Sequence, residues 1–344
     1  MISYYKLIIG NKRLIIPAML ICILLLVSLY YFFQPIFQSN NKFSYNNSIN
    51  PYTEYIIQIQ HKYSEEHIRD VLQRYLKARG LTKIEILETQ YIPNSSYIFK
   101  IQAKDKNNYT YVIYMQVDDL LDKIFEIGPF IIKINNTRFD KYDYFCPLIN
   151  QVNLTIDNAK EVIYNVLSEL NYTDLLNDLD FYILGVDKVN YTYSISFTIA
   201  INGTPVWLVY DRIFINPCLN ITEVSLSPRI YYLVKTKHYV GQRIRLNEVE
   251  KLVLDKYREL YEDKYGSIKE YMIEIGSFPI TSNISSEIVY TPIDLNEDGI
   301  WDLLIPICNV RFSVLTSNNV ELNCVVTVDL YSGDCKFNCN ELGG

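Results

Sequence analysis

The sequence predicts an α+β fold: an N-terminal transmembrane helix followed by three helix-on-antiparallel-sheet units. Three observations predict it. A long uncharged apolar run lies near the N-terminus. A helical apolar stripe then recurs three times at near-constant spacing. Each stripe precedes segments of alternating polarity, in a chain with 31 Tyr against 2 Trp, and Tyr with β-branched residues favours pleated, half-buried surfaces.

The apolar run LIIPAMLICILLLVSLYYFF (residues 14–33) carries no charge. At 1.5 Å per residue it spans roughly 30 Å, the hydrocarbon thickness of a bilayer. Pro17 falls in its first turn, and Tyr30 to Phe33 give it an aromatic end suited to the lipid–water interface. Lys6, Lys12 and Arg13 precede it and the next charge is Lys42, so the positive-inside rule makes residues 1–13 a cytoplasmic tail. The expectation is a single-pass protein of the cell membrane, with its bulk extracytoplasmic. The run is too long for a cleaved signal sequence, and no small-x-small site follows it. Residues 34–51, rich in Asn, Gln and Ser, read as a stalk.

Ten sequons follow the run: Asn46, Asn94, Asn108, Asn135, Asn153, Asn171, Asn190, Asn202, Asn220 and Asn283. They are candidate glycosylation sites. Cys22 lies within the run, and six cysteines follow it: Cys146, Cys218, Cys308, Cys324, Cys335 and Cys339. An even number outside the cytoplasm predicts up to three disulfides, with Cys335–Cys339, Cys308–Cys324 and Cys146–Cys218 as the expected pairs among fifteen pairings.

The first unit, residues 52–145, opens with a helix capped by Ser64 and stopped by Gly80, with Ile68, Val71, Leu72, Tyr75 and Leu76 on one face. Its strands are expected at 83–91, 97–103, 109–117 and 123–127. The second unit, residues 146–240, repeats the stripe at Ala159, Val162, Ile163, Val166, Leu167 and Leu170. Tyr193 to Ile201 then alternates as a strand, and Asn202-Gly203 turns it into a hairpin. In the third unit, residues 241–344, Asn247 and Glu250 resemble a capping box, and Val249, Leu252, Val253, Tyr257, Leu260 and Tyr261 form the stripe. Strands follow at 287–290, 302–313 and 321–330. Ile68, Ala159 and Val249 lie 91 and 90 residues apart, which points to related units.

This arrangement resembles the PepSY family of extracytoplasmic modules, in which a last strand ends in an apolar-x-apolar-Asp-x-x-x-Gly turn. VTVDLYSGDCKF (residues 326–337) matches at Asp329 and Gly333. MQVDDLLDKIFEI (residues 115–127) keeps Asp118 without the Gly, and WLVYDRIFIN (residues 207–216) matches loosely. The resemblance covers residues 52–338. It implies a non-catalytic role in binding or regulating another envelope or secreted protein. The composition is similar to that of archaeal surface proteins.

The sharpest chemical motif is the D-x-N-x-D-G-x-x-D stretch from Asp294 to Asp302. Asp294, Asn296, Asp298 and Asp302 would offer side-chain oxygens and Ile300 its carbonyl, around a Gly that lets the loop curl about a hard cation. It is similar to dockerin and integrin-repeat loops, and the expected cofactor is a structural Ca2+. Ile305 stands where an EF-hand has its bidentate Glu. The alternative is an Asx-rich turn without metal.

A net charge of −7 without a Lys/Arg cluster excludes nucleic acid as a partner class. No catalytic motif occurs: the three histidines, His61, His67 and His238, form no metalloprotease signature, and no P-loop or nucleophile elbow is present. A hydrolase of glycans or peptides is the alternative class, since a carboxylate pair needs no local signature. A structural component of the cell envelope is the third.

Overall fold

The computed structural model describes residue 52 and residues 62–342, apart from residues 107, 129–130, 135–136, 141–152, 177–178, 190–191, 208–209, 217–219, 277 and 282–283. All of these belong to one compact unit, residues 45–344.

The first helix, α1 (Glu65–Ala78), starts where the Ser64 hydroxyl accepts from the His67 amide. Its expected stripe is its buried face. A meander follows: β1 (Thr82–Ile92), β2 (Ser96–Lys104), β3 (Thr110–Asp118) and β4 (Ile124–Ile127), with a side hairpin of β5 (Ile131–Ile134) and β6 (Thr137–Asp140). The pattern then repeats. Helix α2 (Ile156–Glu169) and the short α3 (Thr173–Leu176) precede β7 (Asp180–Val189), β8 (Thr192–Ile201), β9 (Thr204–Pro205), β10 (Asp211–Ile215) and β11 (Ile221–Ser225). The turn between β8 and β9 is Asn202-Gly203, with φ of 51° and 81°. Both values lie in the left-handed region that Asn and Gly tolerate, and such turns match the twist of a hairpin.

Helix α4 (Pro228–Lys235) leads to α5 (Leu246–Tyr265) and then β12 (Ile268–Gly276), β13 (Phe278–Thr281), β14 (Ile284–Ser286), β15 (Ile288–Ile293), β16 (Leu303–Thr316), β17 (Glu321–Asp329) and β18 (Cys335–Leu342). The cap of α5 is displaced from the expected one. Arg245 is the N-cap, and the Glu248 carboxylate accepts from its amide at 2.8 Å. Only Val249, Val253 and Tyr257 of its stripe are buried, while Leu260 is half exposed.

The predicted fold class is corrected. Strands predominate, and the strands of the first two expected units are not separate. β4 and β11 pair antiparallel, Val224 opposite Ile127 and Ser225 opposite Glu126. They close an 11-stranded sheet ordered β1-β2-β3-β4-β11-β10-β8-β7. The physical reason is the edge: β4 and β11 are each the last strand of a meander, and pairing them satisfies two rows of open N–H and C=O groups at once. One hydrophobic core accordingly runs under both meanders, taking Leu72 and Leu76 from α1, Ile163 and Leu167 from α2, and Ile113 and Ile195 from the sheet. Each fully buried side chain of this kind stabilises by roughly 1.5–3 kcal/mol. A second core lies between α5 and the five-stranded sheet of β12, β15, β16, β17 and β18.

The described residues give the single-pass placement no support. Among the described residues no helix is long and apolar enough to cross a membrane. The run 14–33, with the tail and stalk assigned on either side of it, lies outside the described residues.

Candidate functional site

Two strand-end aspartates define a repeated turn. At the end of β3, Asp118 Oδ1 accepts from the amides of Leu120 and Leu121, at 2.8 and 2.9 Å. At the end of β17, Asp329 Oδ1 accepts from the amides of Tyr331 and Ser332, at 2.8 and 3.2 Å. Each aspartate closes its turn through its own amide, to the carbonyls of Lys123 and Asp334 respectively, both at 2.9 Å. The left-handed position is Gly333 in one (φ 83°) and Asp122 in the other (φ 50°). Asp122 therefore stands in for the missing Gly of the first unit, since short Asx side chains tolerate that region. In the second meander the corresponding residue is Asn216 at the end of β10, whose Oδ1 accepts from the Asn220 amide at 3.0 Å.

The turn also steers the preceding helix. The carbonyl after each aspartate accepts from the residue just before an N-cap: Asp119 from Tyr63, and Leu330 from Ile244. The third turn is tied further. Tyr52 and Ser332 donate to Asp329 Oδ2, and the Arg243 guanidinium lies 3.8 Å from the Tyr331 ring centre.

Beside the first turn opens a cleft of about 210 Å³, lined by Ser95, Asp118, Phe125, Ser227, Arg229 and Trp301, among others. Arg229, on α4, is its electrostatic centre. Its Nε donates to Asp118 Oδ2 at 2.8 Å, and its Nη2 donates to Asp119 Oδ1 at 3.3 Å and to the Ser95 carbonyl at 3.2 Å. Tyr91 donates to the other oxygen of Asp119. Both carboxylates are buried, and burial pushes the Asp118 carboxyl above its usual range against the opposing pull of Arg229. Phe125, Leu226, Pro228 and Trp301 make the rest of the wall apolar. The cleft thus joins a fixed guanidinium and carboxylate to an aromatic wall, the composition of a binding pocket. Nothing in the sequence marked Arg229, which reaches Asp118 across 111 positions of chain.

The 294–302 loop forms the far wall through Gly299 and Trp301, and it is docked on the β1–β2 turn, where the Asn94 amide donates to the Asp298 carbonyl at 3.3 Å. Its carboxylates are spent on backbone amides. Asp294 accepts from Asp298 and Gly299, Asp298 from Ile300, and Asp302 from Leu295. Asp302 is buried while Asn296 and Asp298 are exposed. Among the described residues no three His, Cys, Asp or Glu side chains converge as a metal site would require. As placed, Asp294, Asp298 and Asp302 brace the loop through its own amides, with Asn296 and Ile300 between them.

The cysteine pairing is corrected. Cys324 and Cys339 are bonded to each other, S–S 2.08 Å, and Cys308 and Cys335 are free. Register is the cause. Cys324 lies directly opposite Cys339 across β17 and β18. Cys335 is four positions from Cys339 along the same extended strand, roughly 13 Å away, beyond the reach of a disulfide. Cys308 stands opposite Val328 and Cys324 opposite Phe312, so those two are equally offset. Cys146 and Cys218 lie outside the described residues. Of the sequons, Asn108, Asn153, Asn171, Asn202 and Asn220 are exposed and Asn94 is half buried; Asn46, Asn135, Asn190 and Asn283 lie outside the described residues. Asn94, Asn108, Asn171 and Asn202 all have positive φ, so turn geometry is itself a reason for asparagine at these positions. His67 is held by Asp122 at 3.0 Å and stacks on Tyr63.

No family model and no curated relative matches the chain. Among solved structures, the Bacillus megaterium YpeB C-terminal domain is similar over 83% of this chain and 100% of that chain, at 11% identity and a TM-score of 0.38. The likeness is distant and assigns no function.

Proposed function

We propose that the chain is a non-catalytic binding module that holds a segment of a partner protein in the Arg229 cleft. The observation that carries this reading is the cleft's make-up: a half-buried, doubly paired guanidinium beside Trp301 and Phe125. Aromatic and Arg anchors in desolvated pockets dominate protein recognition. The walls come from β3, β4, α4 and the docked loop, so four elements build the pocket rather than one segment. The PepSY-like turns at Asp118 and Asp329 accord with such a role.

The test places a photo-crosslinking amino acid at position 301 of the full chain and, as a control, at the exposed Leu260 on α5. The reading expects one partner trapped from position 301 only, and lost when Arg229→Ala is added. Equal crosslinking from both positions, or none from 301, would rule the cleft out. A hydrolytic role would show instead as turnover of glycan or peptide substrates that Asp118→Asn abolishes.

A further inference from the structure

We propose that α4 is a proton-linked latch: loss of a proton from Asp211 shifts the start of α4 and changes the shape of the Arg229 cleft. This rests on that cleft being the binding site. Asp211 opens β10 and is fully buried. Its Oδ2 accepts from the Tyr231 hydroxyl, while its Oδ1 has no partner among the described residues. Ser227, the N-cap of α4, lies beside the same carboxyl. The carboxyl therefore holds the first full turn of α4 through Tyr231. In that turn of the helix, two positions before Tyr231, sits Arg229, which reaches out to Asp118 and Asp119. Ser227, Pro228 and Arg229 all line the cleft.

The surroundings leave a charge on Asp211 uncompensated. From α4 it meets Tyr231 and Ser227, and from the segment between α2 and α3 it meets Tyr172, whose ring packs edge-on against Tyr231 at 5.5 Å. Its cross-strand neighbour in β8 is Phe197. The nearby charges, Asp118, Asp119 and Arg229, are engaged with one another. Among the described residues no cation pairs with Asp211. A buried carboxylate with a bare oxygen is costly, and the cost is relieved either by a proton or by a movement that brings a donor or water to Oδ1. The element that responds is α4, because it carries Tyr231, the hydroxyl that donates to this carboxyl. Burial pushes the Asp211 carboxyl up to about 7, which sets the exchange near neutrality. Tyr172 also donates to the Ile124 carbonyl at 3.0 Å, next to Phe125 in the cleft wall, so the network touches the cleft on a second side.

The test uses the full chain carrying Trp207→Phe, which leaves Trp301 as the sole tryptophan. Its emission is followed from pH 5 to pH 9 with no partner present. The latch predicts one transition near pH 7, abolished by Asp211→Asn. Tyr231→Phe should move the midpoint upward, because the lost hydroxyl favours the charged carboxylate. His67→Gln should leave the transition in place. Absence of a transition, its survival in Asp211→Asn, or its loss in His67→Gln would overturn the latch. Should Asp211→Asn fail to fold, carbon-13 titration of the Asp211 carboxyl decides, since a midpoint near 4 overturns it. Because no partner is needed, failure here is separate from failure of crosslinking at position 301.

Discussion

A carboxylate that caps two amides does more for this molecule than its charge would suggest. Asp329 is fully buried and satisfied by Tyr52, Ser332 and two backbone amides. Removing it strands several donors, each worth on the order of 1–3 kcal/mol when left bare. Asp329→Ala should therefore lower stability by about 3 kcal/mol in urea unfolding, and Asp329→Asn by less, because an amide oxygen still accepts. Asp211 acts in the opposite sense. Its carboxyl sits at about 7 in the fold against an ordinary value of 3.8, so the folded chain holds a proton that the unfolded chain releases. Its contribution is full below about pH 4 and is lost as pH rises through 7, about 4 kcal/mol in all. Burial moves Asp118 in the same direction. The chain should unfold at lower urea at pH 8 than at pH 5, and Asp211→Asn should flatten the difference; an unchanged pH slope in that variant would refute the assignment.

Elements explain what single residues could not foretell. In the 294–302 loop, three aspartates within nine positions repel at close range by about 1–4 kcal/mol per pair. Four amide N–H groups offset that repulsion from within the loop. Melting in calcium and in chelator tests the expected Ca2+: a chelator-induced drop that Asp298→Ala removes places the cation in the loop, and equal melting temperatures leave an Asx-braced turn without metal. In the second sheet, β16 buries the Cys308 thiol and β18 half-buries that of Cys335, and desolvation pushes both pKa values up to about 12. At pH 8 they remain protonated and poor nucleophiles. Peptide mapping after iodoacetamide should find both unmodified in the native chain and both modified after unfolding. The helical stripes were readable because one buried face imposes one period. The Cys324–Cys339 bond was not, because it depends on strand register, which no local spacing encodes.

At the scale of the whole molecule, the seam is what separates this fold from three modules on a string. The helix stripes, most strand positions and the Asp118 and Asp329 turns could be read along the chain. The joining of β4 to β11 could not, because backbone pairing between two edges leaves no side-chain signature. Arg229, Asp211 and Trp301 were missed for a related reason: the seam brings them near Asp118 from distant stretches of sequence. The cleft exists only if α4, reached through β11, is fixed beside β3 and β4. That arrangement can be tested by covalent capture. Glu126 and Ser225 stand directly opposite each other across the seam, with neither fully buried. Facing residues of an antiparallel pair lie about 4.5–5.5 Å apart at Cα, within disulfide range. Mild oxidation of the full chain carrying Glu126→Cys and Ser225→Cys should yield a disulfide-linked peptide pair 126–225, with the fold retained. Two thiols that stay free under those conditions, in a chain that remains folded, would contradict the joined sheet and with it the cleft.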